Sequence, residues 1–562
     1  MTQNGSPDAA PAPGANISRH LGRMAVAQPH VAALKIPRGR DAKGEINYLI
    51  LSFRELDAEV GAWCNRFTRA GIRPGDRTLV MVSQGLPLIA SVFALFNLGA
   101  VPVVIDPGMG RKAFLACVEH AQPRALVGIA MAQIASRLFP TAFRSVAVRV
   151  WASGALTARL TSPRRSVTPI PAPPAFAALP SDLAAILFTS GSTGAPKGVC
   201  YEHGMFEAQV RLIRETYGIT PGEIDLPLLP IFALFNPALG VTTIIPEIDP
   251  RRPAAFNPAH IVQAIRQEKV TTSFGSPTLW RKISEHCQAH HITLPTLRRV
   301  LCAGAAVPAD LWKSSRDFLP NGSLHSPYGA TEALPVTSVA ASAVDPVSVR
   351  GACVGHPVRE MDARVIAISD GPITSFAATA ALPAGEIGEI IVRGPVVTKT
   401  YDGLPDATRL AKIPDSAATQ PGAVWHRMGD CGYFDSDGKL WFSGRKVERV
   451  VTAFGTFHTE PCEQVFRRHP RAARCALIGI GDPEKRRPAV VVEATVKDSS
   501  AARAFTRELR VLALQHPHTQ DIKVFYFHEK FPVDVRHNAK IHRLTLAKWA
   551  RTATGYQSDP KR

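Results

Sequence analysis

Thr189-Ser190-Gly191-Ser192-Thr193-Gly194-Ala195-Pro196-Lys197-Gly198 follows directly on the apolar run Ala184–Phe188, AAILF. Glycines let a backbone turn tightly and come close to a ligand. The hydroxyls of Thr189, Ser190, Ser192 and Thr193, with exposed amides, can cradle phosphate oxygens. Lys197 adds a point charge suited to phosphate. Pro196 before that lysine and Gly198 after it exclude the GxxxxGK[ST] loop. A Gly/Ser-rich stretch is usually only a connector. The length of this run, and its position at the end of a buried strand, read instead as a phosphate-binding loop.

Outward from the loop, the chain alternates strand and helix patterns. Ser52 precedes FRELDAEVGAWCNRF with Glu55 three positions on, a capping box opening an amphipathic helix. The turn Arg73-Pro74-Gly75-Asp76 and an apolar strand over Thr78–Val82 follow, and similar units continue through Leu126. Such alternation predicts a mostly parallel sheet covered by helices. Leu86 to Val104 carries no charge, but Pro87, Gly99 and Pro102 punctuate it as a buried helix and then a strand, Val101–Ile105, rather than a membrane span. Residues 155–182 are rich in Pro, Arg and Ala and read as a surface excursion. Another α/β stretch runs from Ile261 to Cys302, and residues 345–442 are richer in short strands and turns. Beyond Gly444-Arg445, strands and helices alternate as in a small α+β domain. The expected organisation is a flexible tail over 1–30, an α/β domain over 31–445, and a small α+β domain over 446–562.

Composition narrows the class. In 562 residues, 46% hydrophobic and 20% charged fractions fit a globular protein rather than a disordered or fibrous one. Nine cysteines at irregular spacing, with no CxxC pair, argue against a disulfide framework or zinc site and for a reducing compartment. The Pro/Ala/Gly-rich start lacks the apolar centre of a signal peptide, so a cytoplasmic location is expected. The net charge of +19 is dispersed, without a nucleic-acid-binding signature, so no nucleic-acid partner is expected. Capture of an anionic ligand, peripheral contact with lipid, or a merely solvated basic surface would each suit it.

Further blocks follow in order: Cys302-Ala303-Gly304-Ala305-Ala306-Val307-Pro308, Tyr328-Gly329-Ala330-Thr331-Glu332, Trp425-His426-Arg427-Met428-Gly429-Asp430, Gly444-Arg445, and Pro532 to Lys540. With the loop, they resemble the adenylate-forming superfamily of acyl- and aryl-CoA synthetases, firefly luciferase and peptide-synthetase adenylation domains. The resemblance covers most of residues 45–545. It implies ATP and Mg2+ as cofactors, a large N-terminal domain of mixed sheets and helices, and a small mobile C-terminal domain. By that resemblance Thr189 to Gly194 and Lys197 would hold phosphates, and Gly304, Ala305 and Tyr328 would lie against adenine, with Gly329 in the same motif. Thr331 would bond the α-phosphate, Thr193 and Glu332 would hold Mg2+, Asp430 the ribose, and Arg445 ribose or phosphate. Lys540, on a domain swinging about Lys446–Glu448, would bridge carboxylate and α-phosphate. Met428 departs from the family pattern, and so do Asn538-Ala539 before Lys540. Retention of Lys197, Glu332, Asp430, Arg445 and Lys540 speaks against a degenerate, merely nucleotide-binding relative.

The fate of the adenylate turns on other positions. In Pro230-Ile231-Phe232-Ala233-Leu234-Phe235, Ala233 stands where many CoA ligases have histidine. The segment from Arg445 to Gly455 reads as one residue longer than the family run. The stretches 189–206, 227–240 and 325–336 resemble the β-lactone synthetases of bacterial long-chain olefin biosynthesis. That implies a long-chain 2-alkyl-3-hydroxy acid, adenylated and then closed by its own β-hydroxyl. It also implies a hydrolase-fold decarboxylase and a reductase as pathway partners. A long-chain acyl-CoA synthetase or fatty acyl-AMP ligase is the alternative. Phe232, Ala233 and Phe235 would form the acyl pocket, with Phe274 and Trp280 as further apolar candidates. His203 and His426 are candidates for the base by motif proximity alone.

Overall fold

The structure is a computed structural model describing residues 14–152, 172–189, 196–249, 255–418, 422–472, 474–482, 485–533 and 541–558. The chain packs into two compact units, Met1–Ile245 with Thr400–Leu404, and Pro246–Lys399 with Pro405–Arg562.

In the first unit a six-stranded sheet runs in the order Val148–Trp151, Ala125–Gly128, Arg77–Met81, Val101–Ile105, Leu183–Thr189, Lys197–Glu202. All neighbours are parallel except the last pair, which is antiparallel. Leu79, Val103, Leu126 and Ile186 are completely buried in its core. The helix Phe53–Ala70 begins on the expected capping box: Ser52 Oγ accepts from Glu55 N at 3.3 Å and Glu55 Oε2 accepts from Ser52 N at 2.7 Å. Leu86–Asn97 is buried on nearly every side, which explains its lack of charge, and Val101–Ile105 follows as a strand. Among the described residues no helix is long and apolar enough to cross a membrane. The tail expected over 1–30 does not extend through residues 14–30. Arg19–Ala27 is a helix with Leu21 buried, and Asn16 Nδ2 donates to the Phe96 carbonyl at 2.6 Å.

The second unit carries a sheet ordered Thr272–Gly275, Arg299–Cys302, Ser323–Ala330, Ala333–Ala340, Ala352–Pro357, Leu440–Arg445, Val424–Phe434, Gly388–Arg393, Asp362–Ile366. Its first three strands are parallel and the rest antiparallel. After Arg445 a single 3-10 turn, Lys446–Glu448, leads to a hairpin, Val450–Thr452 with Gly455–Phe457. The C-terminal residues then form their own sheet, Cys475–Ile480, Arg487–Glu493, Val524–His528 and Tyr556–Gln557. Alternate residues of these strands enter two apolar clusters, Leu477, Val490 and Phe525 in one, Ile478, Val491 and Tyr526 in the other. The sheet is therefore covered on both faces, and the architecture is the expected α/β fold with a small α+β sheet at the C-terminal end.

Candidate active site

In the first unit the loop's two ends are held in register: Thr189 pairs with Lys197 and Phe188 with Gly198. Ser190, Gly191, Ser192, Thr193 and Gly194 lie outside the described residues. Gly198 is packed tightly. A Cβ there would stand 3.0 Å from Ile186 Cγ2 and Phe188 Cζ and 3.2 Å from Asp402 Cβ. The close neighbour is the strap Thr400–Leu404, returning from far along the chain. Asp402 N donates to the Gly198 carbonyl at 2.8 Å. Arg77 grips the Asp402 carboxylate at 2.8 and 3.1 Å, and His120 Nε2 lies 2.7 Å from the Asp402 carbonyl. The Lys197 ammonium sits 4.9 Å from the centre of the Tyr401 ring, a cation–π contact that orients its stem. Tyr401 and Asp402 belong to no sequence block, and their part in seating the loop's return strand shows only in three dimensions.

The acyl-pocket candidates share one 3-10 turn, Pro230–Leu234 with Phe235 after it. Ala233 is buried, while Phe232 and Phe235 are half-buried. Two other apolar candidates are interior. Trp280 is fully buried and stacks on Phe318 with ring centres 6.1 Å apart, and Phe274 is buried too. Trp280 is thus a packing residue rather than a pocket wall. Both histidine candidates are also interior. His203 meets Phe96 edge-on at 6.2 Å, and burial lowers its pKa. His426 Nδ1 lies 3.2 Å from the Ala411 carbonyl.

The second unit gathers most of the remaining candidates. Gly304, past the end of the strand Arg299–Cys302, has φ +95°, a conformation that favours glycine, and Ala305 follows it. The neighbouring parallel strand ends at Tyr328, Gly329 and Ala330. A Cβ on Gly329 would come 2.4 Å from the Ala333 carbonyl oxygen across the turn that carries Thr331 and Glu332. Candidate groups thus collect at carboxyl ends of parallel strands, where α/β sheets bind ligands. Tyr328 Oη donates to Asp430 Oδ2 at 2.6 Å, and Arg445 Nη1 lies 2.9 Å from Asp430 Oδ1. Asp430 and Arg445 are direct cross-strand partners, and Asp430 is only 3% exposed. Burial, with Asp430 beside it, pushes the Tyr328 phenol well above its ordinary pKa. Asp430 likewise raises Arg445. Both stay protonated beside the buried carboxylate, Tyr328 as its hydrogen-bond donor and Arg445 as its ion-pair partner.

The turn bearing Glu332 is fixed from behind. Its carbonyl accepts from Thr398 N at 2.9 Å and from Thr398 Oγ1 at 3.2 Å. Thr398 in turn is held by Lys412, whose ammonium donates to the Thr398 carbonyl and, at 3.1 Å, to Thr398 Oγ1. Burial draws the Lys412 pKa down to about 7, and the nearby Glu332 charge opposes that shift. No sequence signal distinguishes Lys412 from a surface lysine.

Among the described residues no group of three or more His, Cys, Asp or Glu gathers as a metal site. A single carboxylate, Glu332, with further ligands from phosphates and water, is nonetheless the donor set Mg2+ prefers. The residues present therefore fit that ion. Lys540 lies outside the described residues. The turn Lys446–Glu448 is tethered on both sides: Lys446 Nζ donates to Glu389 Oε1 at 3.1 Å, and Arg543 pairs with Glu448 at 3.0 Å and Glu463 at 2.7 Å. Arg427 also pairs with the buried Glu389, at 2.8 and 2.9 Å.

Residues 32–402 match the family described as AMP-binding enzyme. Over 550 residues the chain is 42% identical to an olefin beta-lactone synthetase of Xanthomonas campestris pv. campestris, covering 95% of this chain and 97% of that protein. A protein of the same name from Stenotrophomonas maltophilia (strain K279a) is 42% identical over 548 residues, covering 95% and 98%. The crystal structure of ATP-bound MatB from Rhodopseudomonas palustris shares the fold, with TM-score 0.75 at 21% identity, covering 96% of this chain and 99% of that one.

Proposed function

Because the chain belongs to the AMP-binding enzyme family, we propose that it adenylates a long-chain 2-alkyl-3-hydroxy acid with ATP and closes the product to a β-lactone. The observation that carries this is the 42% identity, over 95% of the chain, to two proteins named olefin beta-lactone synthetase. The substrate carboxylate attacks the α-phosphorus and pyrophosphate leaves. The β-hydroxyl then attacks the acyl carbon, its proton passes to solvent, and AMP departs as the ring closes. An intramolecular nucleophile has a high effective concentration, so no external thiol is needed.

Positioning and charge neutralisation supply the catalysis. Asp430, anchored by Tyr328 and Arg445, would receive the ribose hydroxyls. Gly304 and Ala305 would lie against adenine, and Thr331 would bond the α-phosphate. Lys197 and the hydroxyl-rich loop from Thr189 would hold phosphates. Glu332 and Thr193 would hold Mg2+, which when bound supplies positive charge to the triphosphate. Lys540 would bridge carboxylate and α-phosphate, on a domain over 446–562 pivoting at Lys446–Glu448. Phe232, Ala233 and Phe235 would wall the alkyl chain. A decarboxylating enzyme would consume the strained lactone.

The test is a product assay. With ATP, Mg2+ and a long-chain 2-alkyl-3-hydroxy acid, NMR should show a β-lactone ring and AMP without CoA. A thioester formed only when CoA is added would overturn the proposal in favour of an acyl-CoA synthetase.

A further inference from the structure

Lys412 opens the short strand Lys412–Pro414, which pairs with Val424–Phe434 so that Lys412 faces His426 and Ile413 faces Trp425. Ile413 and Trp425 are both completely buried, so the strand is locked against its neighbour. Lys412 itself is 4% exposed and Thr398 is fully buried. Taking an ammonium out of water costs several kcal/mol unless it is well compensated. An apolar side chain of similar volume would fill this place without that penalty. The compensation here is specific: two bonds to Thr398, whose N–H and hydroxyl both terminate on the Glu332 carbonyl. Ammonium, threonine and the Thr331–Glu332 turn form one continuous chain.

We propose that Lys412 is a positioning residue of the active site, acting through Thr398 to fix the Thr331–Glu332 turn that receives the nucleotide's phosphates and their Mg2+. The assignment rests on the adenylation reading of that turn. Lys412 touches no reacting atom. It sets where the Glu332 carboxylate and the Thr331 hydroxyl stand.

The experiment compares Lys412→Met, Thr398→Val and Thr398→Ser with the parent. ATP binding is measured by calorimetry with and without Mg2+, and adenylation by pyrophosphate release. Partners of a metal ligand typically contribute on the order of 10–100-fold in metal affinity or activity. K412M should therefore lose the Mg2+-dependent tightening of ATP binding by a factor in that range, with Mg2+-free affinity and the KM for the acid unchanged. T398V, which loses the hydroxyl but keeps the backbone N–H and carbonyl links, should show part of that defect, T398S should stay near the parent, and the K412M/T398V double variant should be no worse than K412M. A purely structural lysine predicts parent-like Mg·ATP binding and adenylation in K412M, and that result overturns the proposal. Should K412M fail to fold, T398V decides alone: parent-like Mg·ATP binding there also overturns it. A parent that binds Mg·ATP but releases no pyrophosphate would sink the adenylation reading, while the calorimetric comparison still judges Lys412.

Discussion

Asp430 is one carboxylate with two charged or polar anchors, and its removal should be felt mainly by the nucleotide. Asp430→Ala is expected to raise the KM for ATP on the order of 10–100-fold, since hydrogen bonds to a charged group contribute about 1.5–3 kcal/mol each. The KM for the acid should barely move. Tyr328→Phe removes one anchor and should have a smaller effect in the same direction. Steady-state kinetics on both substrates checks this. A second residue bears on stability. Asp225 is buried, accepts from Asn236 Nδ2 at 2.8 Å, and has its pKa raised to about 7 by burial. The folded state therefore keeps a proton that the unfolded chain sheds near its ordinary value of 3.8. That contribution is present below about pH 4 and lost as pH rises through about 7. Asp225→Asn, neutral throughout, should melt above the parent at about pH 8, and the gap should narrow toward about pH 5. Tyr328, Asp430 and Arg445 were legible because each ends or opens a short block with family order around it. Lys412 and Asp402 were not, because their meaning lies wholly in partners distant along the chain.

At the scale of elements, local signals read well where the physics was local. The capping box at Ser52, the punctuated Leu86–Val104 run and the strand Leu183–Thr189 all stand where pattern and turn residues put them. The helix Arg19–Ala27 escaped because its Pro/Ala/Gly-rich approach looks like a tail. Asn16, just before the helix, is bonded to the Phe96 and Phe176 carbonyls, and no periodicity records that. The interior places of Trp280, His203 and His426 were equally hidden, since a sequence shows a residue type but not which side of a sheet it meets. Gly198→Ala should destabilise the protein, because its Cβ meets two side chains at 3.0 Å and Asp402 at 3.2 Å; overpacking typically costs about 1–3 kcal/mol. Glu389→Gln should cost about 3–5 kcal/mol in urea unfolding, since Arg427 and Lys446 would lose the buried carboxylate they share.

For the molecule as a whole, the proposed division at Arg445 predicts that adenylation depends on a side chain from the far end of the chain. Lys540→Ala should abolish pyrophosphate release from ATP and acid while leaving ATP affinity within a few-fold, as read by calorimetry. Unchanged turnover would remove Lys540 from the reaction. The fold class was readable because strand–helix alternation is a property of long windows, and those average out local noise. The two-unit packing was not readable, because a five-residue strap, Thr400–Leu404, that joins the unit built from residues 1–245 leaves no mark in its flanking sequence.

That strap has a consequence for biosynthesis. Arg77 and Asp402 are 325 positions apart, so the sheet built from residues 77–202 lacks this partner until the 400–404 segment emerges. Non-local closure of this kind slows folding. Until it arrives, Arg77, His120 and the Gly198 carbonyl lack the partner that the mature protein gives them. A nascent chain halted at Lys399 should therefore be cut readily by protease between the sheet strands, and one extended past Leu404 should resist. The strand Lys197–Glu202 would then be among the last parts of the first unit to acquire its native neighbours, although its sequence is complete by residue 202.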